Sequence, residues 1–330
     1  MTFIKNSKRS NMSLYSQLKP KVIEWRKSRY PSDFPIISEI LNYNYDSEMG
    51  NLRFLRKAQF EALETYWYLR LAEKTPHIFN LYKKIYVDPF ELLKALNISI
   101  SQENLIKDLI KIMSKGGGIE SIFEKIKNDN NFVKKYRLES LKESLTLNYP
   151  SYILALAMGA GKTGLIGTII ATEFAMALEY PQNSHFVKNA LVFAPGKTIL
   201  GALKEISDVP YEKILPARLF KEFITSVKFT YTRDGEKDIP VIRGSNFNII
   251  VTNTEKIRIQ KQSISKSLIR NLFTDLSKEE EVKQEIANRR LQTIASLPNL
   301  AIFSDEAHHT YGQALDKELK RVRQTVDYLA

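Results

Sequence analysis

The sequence contains no cysteine among its 330 residues, which excludes disulfide scaffolds, thiolate zinc sites and cysteine nucleophiles together. Long apolar runs are missing too. The longest apolar stretch, Leu165–Leu178, is broken by Glu173 and follows directly on a Gly-rich loop, so no membrane span is expected. The opening MTFIKNSKRS carries charge with no apolar segment behind it. No signal peptide is therefore expected, and the chain reads as a soluble, cytoplasmic protein. Histidine is scarce at four residues, and His77 and His185 stand isolated. No Ser-His-Asp set and no histidine-based metal cluster can be argued from them.

What is present is globular in character, with 43% hydrophobic and 26% charged residues, and the length suits about two domains. Lys and Arg number 49 against 37 Asp and Glu, a net charge of +12. Residues 1–30 carry eight of the cations, opposed only by Glu24. Such an excess suits a polyanionic partner, nucleic acid first; a merely solvated surplus is the plain alternative.

The first 50 residues are basic and aromatic-rich, and Pro20, Pro31 and Pro35 act as breakers, which predicts short helices and loops. Residues 56–74 place Phe60, Leu63, Trp67 and Leu71 at helical spacing, an amphipathic helix ended by Pro76. Over 88–145 the segments DPFELLKALN, SQENLIKDLIKIMSK, IESIFEKIK and NFVKKYRLESLKESL read as further helices, with Gly116–Gly118 a connection. From Tyr149 the texture changes. SYILALA (151–157), NALVFAP (189–195), SVKFTYT (226–232), FNIIVTN (247–253) and LAIFSD (300–305) are short apolar or β-branched runs, several followed by helical patterns. That alternation predicts a parallel sheet covered on both faces, an α/β domain. Residues 276–296 read as a charged helix inserted before the last strand. Three parts follow: a basic region 1–50, a helical part 51–148 and the α/β part 149–330.

The chemistry concentrates in two short segments. AMGAGKT, Ala157–Thr163, lies between the run SYILALA and the helical pattern TGLIGTIIATEFAMAL. Gly159, Ala160 and Gly161 let the backbone wrap so that its N–H groups point at phosphate oxygens, and the following helix offers its positive N-terminus to the same anions. Lys162 is placed to reach the β- and γ-phosphates, and Thr163 to give its hydroxyl to Mg²⁺. The second segment is SDEAHH, Ser304–His309, closing the run LAIF. A carboxylate at the C-terminal tip of a parallel strand faces the crevice where ligands bind in such sheets. Asp305 suits the Mg²⁺ role, and Glu306 suits orienting and deprotonating a water. ATP and Mg²⁺ are the cofactors these segments imply.

Together AMGAGKT and DEAHH resemble motifs I and II of superfamily 2 helicases and translocases. With LVFAPGKTIL and IIVTNTEKI between them, they most resemble the N-terminal ATPase lobe of type III restriction-enzyme Res subunits. The resemblance covers residues about 52–330. It implies a RecA-like P-loop NTPase lobe preceded by a mainly helical N-terminal region and insertion. LRKAQFEAL resembles the adenine-reading segment, which implies Gln59 as the base contact with Arg56 nearby; an amide offers the donor and acceptor that adenine's edge requires. FAPGKTIL and VTNTEKI resemble motifs that grip a DNA backbone, implying Lys197, Thr198, Thr252 and Asn253 as phosphate contacts. His308 matches the histidine that couples nucleotide state to the partner lobe.

The resemblance implies ATP-driven movement along double-stranded DNA in a restriction or defence system, with a DNA methyltransferase subunit among the partners and none in a membrane. A second RecA-like lobe, supplied by a longer chain or a downstream polypeptide, is expected to complete the enzyme, and these residues alone are expected to hydrolyse ATP poorly. The competing reading is a nucleotide-gated DNA-binding subunit without turnover.

Overall fold

The computed structural model describes residues 13–46, 48–96, 103–114, 118–157, 159–194, 205–231, 241–253 and 290–304, with Val326 and Leu329. Helices α1 (Leu14–Lys27), α2 (Ile36–Tyr43), α3 (Lys57–Trp67), α4 (Ile78–Ile85), α5 (Pro89–Ala95), α6 (Glu103–Ile112), α7 (Gly118–Asn128), α8 (Asn130–Tyr136) and α9 (Glu139–Leu145) precede α10 (Lys162–Glu179) and α11 (Ala217–Ser226). Strands β1 (Tyr45–Asp46) and β2 (Asn51–Leu52) make a small antiparallel hairpin, and β3 (Asn189–Ala194), β4 (Lys228–Tyr231), β5 (Asn248–Asn253) and β6 (Leu300–Ser304) make a parallel sheet. By compactness the chain divides in two: Met1–Phe34 with Glu64–Leu154, and Pro35–Leu63 with Ala155–Ala330.

The first unit is helical. Its local starts follow from capping residues: Ser13 Oγ accepts from Ser16 N at 3.2 Å, Asp88 Oδ1 from Phe90 N and Glu91 N, and Asp129 Oδ1 from Asn131 N and Phe132 N. His77, which has no partner visible in the sequence, caps α4 by accepting from Phe79 N at 3.2 Å, while its Nε2 lies 3.1 Å from Leu147 O. The core is an aromatic and aliphatic cluster in which Phe79 meets Phe123 edge-on at 4.2 Å, with Ile122, Ile126, Phe132 and Val133 around them. A second centre is polar. Glu64 is fully buried, and Arg26 Nε and Tyr30 Oη both donate to its Oε1, at 2.6 and 2.7 Å. Burial and the Glu64 charge push the Tyr30 phenol far above its ordinary value.

Two sequence expectations are corrected in this unit. Pro20 does not break the chain but lies inside α1, on its exposed side, while Leu18, Val22 and Trp25 bury the other. Proline removes one helical N–H, and water can serve an exposed carbonyl left without it; the buried face holds the helix together. The helix expected over 56–74 is α-helical only to Trp67 and continues as a π-helical turn, Tyr68–Ala72. The wider turn shifts the phase, so Leu69 is buried beside Leu18 and Leu81 and Leu71 is not.

The second unit is the α/β domain. Its sheet has the order β4-β5-β3-β6, all neighbours parallel. The central strands are buried on both faces, Ala190–Phe193 and Ile249–Val251 being fully inaccessible, as a sheet covered by helices requires. Register is fixed at the strands' N-terminal ends by amides. Asn248 Nδ2 donates to Asn189 Oδ1 at 2.7 Å, Asn189 Nδ2 to Pro298 O at 2.7 Å, and Asn299 Nδ2 to Ser184 O and Phe186 O. Helix α10 is apolar nearly all round, and Glu173 within it is fully buried because its carboxylate accepts from Val187 N at 2.9 Å. No described helix is long and apolar enough to cross a membrane.

Residues 35–63 are knit into this unit. Asn44 Nδ2 donates to both Ile40 O and Ile214 O at 2.9 Å, and Tyr43 Oη donates to Glu212 O at 2.8 Å. One strand expectation is corrected. SYILALA joins no ladder among the described residues, although exposure alternates along it and Ile153 is 67% exposed. An apolar run becomes a strand only where a neighbour supplies the second half of its hydrogen bonds. Tyr152 Oη instead donates to Pro76 O, and burial lifts that phenol to about 12. Of the helix expected over 276–296, residues 290–295 are helical, Ser296 lies in a turn, and 276–289 lie outside the described residues.

Candidate nucleotide-binding site

The sheet register brings three strand ends level. Ala194 of β3 pairs with Asn253 of β5, and Phe193 with Ser304 of β6. Neighbouring strands run about 4.8 Å apart, so Asn253 and Ser304 stand roughly 10 Å from each other across β3. Lys197 and Thr198, Asp305 and Glu306, and His308 follow these ends in sequence and lie outside the described residues. Asn253 is the terminal residue of β5. Thr252 is fully buried and pairs with Phe193, and Asn253 stands at the tip.

The phosphate loop is described from Gly159 onward. Gly159 and Gly161 have φ of +71° and +79°, a left-handed backbone that glycine alone adopts without strain. Ala160 N donates to Ala157 O at 3.2 Å, closing the turn between them. Gly161 is the N-cap of α10, whose first residues are Lys162 and Thr163, both half-buried. The unit therefore puts a tight glycine turn, the positive end of an 18-residue helix, a lysine and a hydroxyl at one point. That set fits the charge and size of a nucleotide's phosphates. The donor set also fits Mg²⁺ held jointly with phosphate, since Thr163 contributes an oxygen ligand of the type the ion prefers. Among the described residues no carboxylate and histidine cluster forms a metal site without such a ligand.

Arg56 and Gln59 arrive at the same loop from about a hundred residues upstream in the chain. Arg56 is the residue before α3, and Gln59 stands in its first turn. Gln59 Nε2 donates to Gly161 O at 2.7 Å, and Gln59 Oε1 accepts from Arg56 N at 2.7 Å. The Arg56 guanidinium donates from Nη1 to Gly159 O at 2.5 Å. The structure thus brings together Arg56, Gln59, Gly159, Ala160, Gly161, Lys162 and Thr163. The grip of the first two on loop carbonyls was not legible from sequence. Only the local half follows from position: a glutamine at the third helical position reaches its oxygen back to the cap N–H.

Three comparisons with known proteins bear on this site. A family model described as type III restriction enzyme, res subunit, matches residues 120–330. Neither the curated proteins nor the solved structures give a match.

Proposed function

From a chain that belongs to the type III restriction enzyme res subunit family, we propose an ATP- and DNA-binding lobe whose nucleotide cycle drives movement along double-stranded DNA. The family makes the α/β unit a RecA-like, superfamily 2 helicase-type ATPase lobe. The finer assignments rest on the residues. Gly159, Ala160 and Gly161 bind the phosphates through backbone N–H groups, and Lys162 neutralises the β- and γ-oxygens. Thr163 and Asp305 hold Mg²⁺, which when bound supplies the charge that offsets the triphosphate in phosphoryl transfer. Glu306 orients and deprotonates the attacking water, and His308 couples the site to a second lobe. Gln59, with Arg56, reads adenine: each amide atom retains capacity for one more hydrogen bond beside those it makes to Arg56 and Gly161.

DNA is held through its phosphates, by Lys197, Thr198 and Asn253 at the C-terminal edge of the sheet, so binding is indifferent to sequence and weakens steeply with salt. The helical unit supplies the wider field. It holds 22 of the Lys and Arg residues against 13 Asp and Glu, whereas the α/β unit holds 27 against 24. A second RecA-like lobe completes the catalytic set, and a DNA methyltransferase subunit is the further partner, in the cytoplasm, as part of a restriction or defence system. On these 330 residues alone hydrolysis is slow, because closure of two lobes brings in the arginine that such sites need.

The observation that carries this reading is the left-handed Gly159–Gly161 turn opening onto the N-terminus of α10 with Lys162 in its first turn. The test is Lys162→Ala. ATP binding measured by calorimetry with Mg²⁺ is expected to vanish, and unchanged affinity overturns the reading. Turnover with and without duplex DNA then separates a motor lobe from a binding subunit without catalysis.

A further inference from the structure

We propose that Arg56 and Gln59 are positioning residues for the phosphate loop, shaping it for a bare polyphosphate before any base is bound. The inference rests on the nucleotide reading of that loop. Gln59 is 5% exposed, and both ends of its amide are bonded to protein, Oε1 to Arg56 N and Nε2 to Gly161 O. A group that served only to read a base would have no need of that carbonyl.

The direction of the pull matters. Carbonyl and N–H of one peptide lie in a plane and point opposite ways. Drawing Gly161 O toward α3 therefore turns the N–H of Lys162 away from α3. Gly161 O also accepts from Leu165 N at 3.2 Å, so one oxygen is fixed both by Gln59 and by the first turn of α10. Arg56 does the equivalent at the other glycine, its guanidinium drawing on Gly159 O while Ala160 N closes on Ala157 O. Two left-handed glycines are among the most permissive residues a chain contains, and each costs entropy to order. Arg56 and Gln59 restrict both of them at once.

There is no space for a side chain in this arrangement. A Cβ on Gly161 would stand 2.7 Å from Gln59 Nε2, whereas one on Gly159 would meet nothing within 4 Å. The glycine at 161 is thus required by the approach of Gln59 as well as by its φ.

The test uses the full chain, calorimetry and magnesium tripolyphosphate, a ligand without a base, beside magnesium ATP. Gln59→Met keeps length and neutrality but cannot donate to Gly161 O. It is expected to weaken tripolyphosphate about 3- to 10-fold, the range of one lost hydrogen bond to the loop, with a cooperative melting transition retained at a modestly lower temperature. Arg56→Ala behaves alike, and Arg56→Lys, still a cationic donor, recovers most of the loss. Should the Gln59→Met chain lose that cooperative transition, Arg56→Ala and its lysine rescue decide the matter. Tripolyphosphate binding that ignores these substitutions while ATP binding falls makes both residues base readers only and overturns the proposal. Failure of the nucleotide reading looks different: the native chain then binds no tripolyphosphate, or Lys162→Ala leaves that binding intact.

Discussion

The two loop glycines give a measurement with an internal reference. Both have positive φ, so replacing either by alanine incurs the left-handed cost of about 1–2 kcal/mol. At Gly159 that is the whole effect, because a Cβ there finds open space. At Gly161 the new methyl stands 2.7 Å from Gln59 Nε2 and must push the amide off the loop carbonyl. Losing that hydrogen bond and leaving a buried amide partly unsatisfied adds about 1–2 kcal/mol. Gly161→Ala is therefore expected to cost about 2–4 kcal/mol, and Gly159→Ala about half as much. In a Gln59→Ala background the obstacle is gone and the excess at Gly161 should disappear, a coupling of about 1–2 kcal/mol in a double-mutant cycle. Urea denaturation followed by far-ultraviolet circular dichroism reads both units together, and the change in the α/β unit is what remains after the helical unit's own transition is accounted for. Tryptophan fluorescence is the control, since the chain's two tryptophans, Trp25 and Trp67, both belong to the helical unit. Equal costs at the two glycines, or an excess that survives removal of Gln59, would refute the reasoning.

Other outcomes follow from the helical unit. Arg26→Ala leaves the fully buried Glu64 with Tyr30 as its remaining named donor; Arg26 itself is 42% exposed, so the loss should be about 2–3 kcal/mol rather than the larger figure of a fully enclosed pair, read as an earlier fluorescence transition. Burial, helped by Glu73, holds the Tyr68 phenol at about 12, and burial alone is the main cause of the same value at Tyr86 and Tyr152. A folded-state value raised above the ordinary 10.0 means stabilisation that is intact below pH 10 and lost as pH climbs from there through about 12. A fraction of the tyrosinate absorbance should therefore rise late and together with unfolding; complete ionisation of all 16 tyrosines near pH 10 with the fold intact would contradict it.

Much of this arrangement was open to inspection in the sequence because apolar periodicity and glycine chemistry act locally. NALVFAP, FNIIVTN and LAIFSD read as strands and are β3, β5 and β6, each within a residue or two. AMGAGKT announced a turn and a helix start, and both stand where expected. What escaped depends on partners distant in sequence. SYILALA has strand composition but gains no ladder, Pro20 is carried by the buried face of its helix, and a π-helical turn exchanges Leu71 for Leu69. The hydrogen bond from Gln59 to Gly161 spans 102 residues, and no local pattern encodes such an approach. Strand order and register were equally hidden, since they turn on which asparagine amides meet below the sheet.

The covalent path has a practical side. The polypeptide enters the helical unit, leaves it at Pro35, returns at Glu64 and leaves again after Leu154, so neither unit is one uninterrupted stretch of gene. A clone begun near residue 150 to isolate the ATPase would discard α2 and the first turn of α3, and with them Asn44, Arg56 and Gln59. During synthesis, too, residues 35–63 emerge long before the sheet they belong to, and must wait for at least the hundred or so residues after them. Folding of the ATPase is thereby delayed behind the segment that interrupts it, and a nick in that segment would separate the phosphate loop from the residues that grip it.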